Sequence, residues 1–227
     1  MTKRPQYGIV VILKGDMMSS FKNIKMTFLK QNCEKRFNKL TQDGTIDNVF
    51  PEVKACSGIE QPKFHHLDVR DHMLLTVTNT DQTAPLYNLS NDKRFVLRMA
   101  ALLHDCGKLE TAEFNDTRQR VMFKSHDKVG AEIAEKACMR VGMSKEQTEQ
   151  VRILVKMHMR AHHMSTMLNN KLSGKATRRF LKNVGNTLPM LLALAQADGM
   201  AACGPLKPEG SDANSIPNLY KYLINFK

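Results

Sequence analysis

Apolar residues recur three and four positions apart along most of this chain, with polar and glycine breakers between the runs. From Met17 to Leu40, Phe21, Ile24, Phe28, Leu29, Phe37 and Leu40 predict one amphipathic helix or two. Lys22, Lys25, Lys30, Lys35 and Lys39 form a solvated polar side. Asp43-Gly44 is a break. Residues 49–64 carry Pro51, Gly58 and Pro62 without a sustained period, and read as loop or linker. Leu67, Leu74 and Leu75 fit a helix start with Asp68 or Asp71 in its first turn, and loop chemistry resumes from Asn79 to Asn91. A further helix spans about Asp92 to Cys106, with Gly107 as its stop.

Residues 110–124 are polar and read as irregular. Ser125 or a neighbour opens a helix with Val129, Ile133, Ala134, Ala137 and Val141, closed by Gly142. Ser144-Lys-Glu-Gln147 is a capping box ahead of a stripe of Val151, Leu154, Val155 and His158. Ser173 starts a helix with Ala176, Phe180, Leu181 and Val184, ended by Gly185. Pro189 suits the first turn of the next helix, where Leu191, Leu194, Ala195 and Asp198 share a face. A last short helix is expected from Asn218. Ahead of all this, the β-branched run Tyr7–Leu13 predicts a short strand. There is no βαβ rhythm and no internal repeat. The expected fold class is all-α: a principal helical domain over 49–204, an N-terminal extension over 1–48 (small strand plus helix), and a tail over 205–227.

The chain has 227 residues and a formal net charge of +12, from 34 Lys+Arg against 22 Asp+Glu. That field favours anionic partners such as nucleotides or nucleic acid. The longest apolar runs, 8–13 and 188–197, are too short to span a bilayer, and the first is too short for a signal peptide. Five scattered cysteines without a Cys-x-x-Cys pair fit reduced thiols and a cytoplasmic setting.

Candidate chemistry begins at Met99-Ala-Ala-Leu-Leu-His-Asp-Cys-Gly-Lys108, where an apolar run ends in imidazole and carboxylate. This mixed donor set suits a divalent cation, and Lys108 is placed to hold a phosphate as a point charge. Alone, His-Asp is a common dipeptide. At a distance, however, His72, His126, His158 and Asp198 also stand at helix starts or on apolar faces. Asp198 on such a face needs a cation or hydrogen bonds, because burying a lone carboxylate is costly. Ligands converging from several helices are how bundles build metal sites. His162 lies one turn past His158, but an exposed loop position is the expectation for it. Arg178 and Arg179 are candidate phosphate contacts or, equally, a solvated face.

His72…His104-Asp105…Asp198 resembles the H…HD…D signature of the HD-domain metal-dependent phosphohydrolase superfamily, and His126 and His158 match the extra histidines of many members. Phe50-Pro-Glu-Val, Gly58-Ile-Glu-Gln-Pro, His65-His-Leu-Asp-Val-Arg-Asp-His72, Phe123-Lys-Ser-His126-Asp-Lys-Val-Gly-Ala131, Ser173-Gly-Lys-Ala-Thr-Arg-Arg-Phe180 and Leu191-Leu-Ala-Leu-Ala-Gln-Ala-Asp198 are similar to the HD region of bacterial tRNA nucleotidyltransferases and poly(A) polymerases. The likeness covers roughly 49–204. With only about 48 residues ahead of it, and no Gly-Ser motif followed by paired carboxylates, nucleotide addition is not expected.

The resemblance implies an HD-domain helical bundle that hydrolyses a phosphate ester. It implies one or two divalent ions (Mn2+, Mg2+, Co2+, Ni2+ or Fe2+) held by His72, His104, Asp105, His126, His158 and Asp198, with Asp105 bridging if two bind. Asp105 and Lys108 are the catalytic expectation, Lys108 acting on phosphoryl oxygens with Arg178 and Arg179 as further substrate contacts. The expected substrate is a (deoxy)nucleoside monophosphate. A 2′,3′-cyclic nucleotide or RNA end is the alternative, and a basic RNA-binding module with a vestigial site is the alternative from another class. A nucleotide, and RNA as a further partner, are expected, without a membrane; the oligomeric state is not legible.

Overall fold

The structure, a computed structural model, describes residues 14–61, 66–168, 172–202 and 215–226. The strand expected at Tyr7–Leu13 lies outside the described residues. Helices α1 (Lys14–Phe28), α2 (Glu34–Gln42), α3 (Thr45–Val49) and α4 (Pro51–Lys54) lead into α5 (Val69–Leu86) and α6 (Asn91–Leu103). Next come the short α7 (Lys108–Thr111), the antiparallel hairpin β1 (Ala112–Asn115) and β2 (Arg120–Phe123), and α8 (His126–Arg140). The order closes with α9 (Lys145–Met167), α10 (Gly174–Val184), a 3-10 turn at Gly185–Thr187, α11 (Leu188–Ala201) and α12 (Ser215–Ile224). The fold is all-α with a two-stranded ribbon.

Two helices form the centre because their sequences are apolar on every side. In α6, every residue from Arg94 to Leu103 is buried, and in α11 Met190 to Ala195 are buried without interruption. A helix apolar all round has to be enclosed. Helix α5 packs along α11 and α6, α9 crosses both central helices, and α8 lies on α9. One apolar cluster runs from Phe21 in α1 to Leu223 in α12.

Helix α5 is longer than its apolar pattern. Loop was expected from Asn79, yet the helix continues to Leu86 with Pro85 in its last turn. Its buried stripe is Val69, His72, Met73, Thr76, Val77, Thr80, Thr83 and Ala84, in perfect helical spacing but half polar. Two of the threonine hydroxyls bond back into their own helix: Thr76 donates to the His72 carbonyl at 2.9 Å and Thr80 to Val77 at 2.6 Å. Satisfied this way, threonine packs as an apolar residue.

The stretch 110–124, expected to be irregular, instead holds a turn of helix and the hairpin, with Ala112 opposite Phe123 and Phe114 opposite Val121. Each strand has only four residues, too few to show against a polar background.

A single ion pair organises the N-terminal helices. Arg98, fully buried in α6, donates to the carbonyls of Phe28 and Lys30 at 2.6 Å each and of Gln31 at 3.1 Å, at the C-terminal end of α1. It also pairs with Asp81 of α5. The same Asp81 accepts from the backbone N–H groups of Cys33 at 2.8 Å and Glu34 at 3.1 Å, where α2 begins without a side-chain cap of its own. Thus the cation caps one helix C-terminus and the carboxylate caps the next N-terminus, each matched to the helix dipole.

Candidate metal centre

Helix α6 ends at Leu103, and His104 and Asp105 follow in a tight turn that Lys108 leaves as the first residue of α7. Gly107, expected as a helix stop, has φ −68°. Its reason is proximity. A Cβ there would stand 2.2 Å from the His126 carbonyl oxygen and 2.5 Å from the Gly130 amide nitrogen. Gly130 in turn lies against the His104 carbonyl, so two glycines let the backbone of this turn touch the start of α8. That contact brings His126 beside Asp105.

Six side chains from four helices and one turn meet there. His72 comes from α5, His104 and Asp105 from the turn, His126 from α8, His158 from α9 and Asp198 from α11; all six are buried. His72 Nε2 stands 3.0 Å from Asp198 Oδ1 and 3.6 Å from Asp105 Oδ2, and His104 Nε2 stands 3.8 and 3.3 Å from the same two oxygens. The other oxygen of Asp105, Oδ1, faces His126 Nε2 at 3.4 Å and His158 Nε2 at 3.7 Å. Asp105 therefore divides its two oxygens between two groups of ligand atoms. His72, His104 and Asp198 form one triad suited to a metal ion, and Asp105, His126 and His158 a second.

The donor chemistry fits cations. His104 Nδ1 lies 2.9 Å from the Ala101 carbonyl, His126 Nδ1 2.8 Å from Phe123, and His158 Nδ1 2.7 Å from Val155. A carbonyl accepts only, so each Nδ1 carries a proton, and in the neutral ring each Nε2 presents a lone pair, the tautomer of a metal-ligating histidine. Buried His104 Nε2 then has no hydrogen-bond partner. His126 Nε2 and His158 Nε2 point lone pairs at each other across 3.3 Å. Ligands about 2.1 Å from an ion and 90–110° apart lie about 3.0–3.4 Å from one another; four of the separations fall in that range and the other three are a few tenths of an ångström wider.

Electrostatics point the same way. Burial opposes charge on Asp105 and Asp198, yet both carboxyls are held well below the usual carboxylate range, Asp105 chiefly by His104 and Lys108 and Asp198 chiefly by His162. Burial would lower His104 too, but Asp105 and Asp198 bring it up to about 9. His158, buried and close to His104, is pushed down to about 3. Two buried carboxylates demand positive charge, which a proton on His104 meets in part and a divalent cation meets more fully.

Lys108 is not an exposed residue past a helix end. It is buried, and its Nζ donates to Asp105 Oδ2 and to Gln61 Oε1, both at 2.6 Å, beneath the Phe123 ring at 5.5 Å. Gln61 had no signal in sequence, lying in a proline- and glycine-broken stretch. His162, expected in an exposed loop, is in α9 with Nε2 2.8 Å from Asp198 Oδ2, so it holds the outer oxygen while Oδ1 faces the histidines. Arg178 and Arg179 lie on the exposed side of α10, with the Arg178 guanidinium 5.9 Å from the Phe226 ring centroid, and among the described residues neither bonds to the six.

The family model described as HD domain matches residues 69–202. The chain is 32% identical over 166 residues to an A-adding tRNA nucleotidyltransferase of Deinococcus radiodurans, covering 73% of this chain and 35% of that protein. It is 33% identical over 165 residues to a CC-adding tRNA nucleotidyltransferase of Thermus thermophilus, with coverage of 73% and 35%. A bifunctional uridylyltransferase/uridylyl-removing enzyme of Azospirillum brasilense is 32% identical over 205 residues, 84% of this chain and 20% of that protein. The chain thus spans about a third or less of the length of these curated relatives. No helix among the described residues is long and apolar enough to cross a membrane.

Proposed function

The chain belongs to the HD domain family, and on that footing we propose that it is a metal-dependent phosphohydrolase acting on nucleotides, releasing phosphate from (deoxy)nucleoside monophosphates. The observation that carries the reading is the division of Asp105 between two sets of histidine Nε2 atoms. His72, His104 and Asp198 would hold one divalent cation and His126 and His158 a second, with Asp105 common to both. When bound, such ions supply Lewis acidity toward a phosphoryl group and make water nucleophilic near neutral pH.

The remaining roles belong to the chain. The three backbone carbonyls of Ala101, Phe123 and Val155 fix the tautomers. His162 orients Asp198. Lys108 has three N–H donors, two of which are engaged by Asp105 and Gln61, leaving one for a phosphoryl oxygen.

A second reading, hydrolysis of a 2′,3′-cyclic phosphate on a nucleotide or RNA end, is favoured by the likeness to two tRNA nucleotidyltransferases and by the net charge of +12. A binding module with a vestigial site has no use for six buried, convergent ligand atoms. The test is hydrolysis of 5′-, 3′- and 2′,3′-cyclic nucleotides with added Mn2+ or Mg2+. Phosphate released from the 5′-monophosphates, and lost on chelation, is the expected result. Cleavage confined to the cyclic substrates would replace the first reading by the second, and no cleavage by metal-loaded protein would remove both.

A further inference from the structure

The hairpin beside the metal centre gathers four apolar side chains on one face; those of β2 are half-buried, while Phe114 of β1 stands open to solvent. Opposite residues of an antiparallel pair point to the same side, and neighbours along a strand to opposite sides. Ala112, Phe114, Val121 and Phe123 therefore share one face, while Glu113, Asn115, Arg120 and Met122 share the other. Such alternation marks a ribbon with one face to be covered. At the inner end, the Phe123 ring covers Lys108 Nζ, which is itself bonded to Asp105. The Phe123 carbonyl also accepts from His126 Nδ1. One pair further out, Phe114 is 56% exposed.

We propose that this face is the subsite for the base of a nucleotide whose phosphate lies at the metal centre, with Phe114 the ring on which the base stacks. The inference rests on the phosphohydrolase reading and adds the residue that selects a nucleotide over other phosphate esters. Continuity favours a base as occupant: the apolar strip starts at the lysine that touches Asp105 and runs outward from it. Size favours it too. Diagonal neighbours such as Phe114 and Phe123 sit about 7–8 Å apart, which matches one heterocycle, whereas a protein partner needs about 800 Å² on each side. Stacking uses the π-face common to every base, so the subsite accepts several bases with modest preference.

The experiment measures binding without turnover. The probes are the methylenephosphonate isostere of AMP, whose bridging oxygen is replaced by carbon, and the matching base-free ribose phosphonate, each titrated calorimetrically into Mn2+-loaded protein. Phe114→Ala, folded by its circular dichroism melt, weakens the AMP isostere by about 5- to 100-fold and leaves the base-free probe within twofold. Phe114→Tyr retains the parent affinity. Equal weakening of both probes, no weakening of either, or failure of the parent protein to prefer the AMP isostere would each overturn the proposal. Stacking on Phe114 in a protein that cleaves no phosphate ester would refute the hydrolase reading and leave the base subsite. Cleavage of nucleoside monophosphates untouched by Phe114→Ala would refute the subsite alone.

Discussion

Replacing Arg98 by methionine removes the pin between α6 and the junction of α1 and α2 while keeping an unbranched chain of similar reach. The guanidinium makes one hydrogen bond to Thr80 Oγ1 at 3.1 Å, three to the carbonyls of Phe28, Lys30 and Gln31, and the pairing with Asp81. Bonds to a charged group contribute about 1.5–3 kcal/mol each in isolation, but bonds from one guanidinium are not additive. The better measure is the cost of leaving a buried charge without its partner, about 3–5 kcal/mol. Asp81 retains its two backbone N–H donors from α2, which places the loss toward the lower end. For a chain of this size each kcal/mol moves the melting temperature by about 2–4 °C, so Arg98→Met should melt roughly 6–20 °C lower. Asp81→Asn keeps an acceptor for α2 and should lose about 1–3 kcal/mol. The double variant should fall short of the sum, because both changes break one pair. Thermal denaturation followed by circular dichroism at 222 nm reads all three. An Arg98→Met melt within about 2 °C of the parent, or strict additivity with Asp81→Asn, would refute the capping role.

Gly107→Ala forces a Cβ into the His126 carbonyl and should destabilise by at least the roughly 1–3 kcal/mol of an overpacked site; metal content per folded chain should fall too, and a variant equal to the parent in both would contradict the close-approach reading. Burial pushes the Cys33 and Cys138 thiols up to about 12, so at pH 9 about one in a thousand is thiolate; alkylation of these two should be slow in the native protein and fast in urea, followed by peptide mass. Since these folded-state values lie above the ordinary thiol value of 9.0, their contribution to stability is complete below pH 9 and declines as pH rises toward 12, and urea midpoints should show it.

Much of the centre was legible because polar groups on apolar stripes expose themselves. His158 and Asp198 interrupt such stripes, and His104-Asp105 ends one, so burial and need for a partner could be read together. His162 gave no such signal: it sits beside a second histidine, His163, and its partner Asp198 lies 36 residues on. Lys108 was found, but its burial depends on Gln61 and Phe123, residues that the fold alone brings near. Helix α5 beyond Asn79 was hidden by buried threonines, and the hairpin by its shortness. Arg98 did stand in the middle of an apolar helix; what it caps could not be read, because its carbonyl partners are 67–70 positions away.

Asp105 and Lys108 should fail differently, and this tests most directly whether the six residues form a working metal centre. Asp105 faces four histidine nitrogens, so Asp105→Ala should lose metal and hydrolysis together. Lys108 is a cation pressed on the same carboxylate, so its removal relieves repulsion toward a metal ion while deleting a donor for phosphoryl oxygens. Lys108→Ala should keep metal and lose about 100- to 1,000-fold in turnover, the effect of one lost electrostatic contact to a transition state. The decisive measurement is elemental analysis beside turnover for the parent and both variants. The expected result is about one to two ions per chain in the parent and in Lys108→Ala, few or none in Asp105→Ala, and full rate only in the parent. Metal and rate both retained by Asp105→Ala, or full rate in a thoroughly chelated parent, would contradict it.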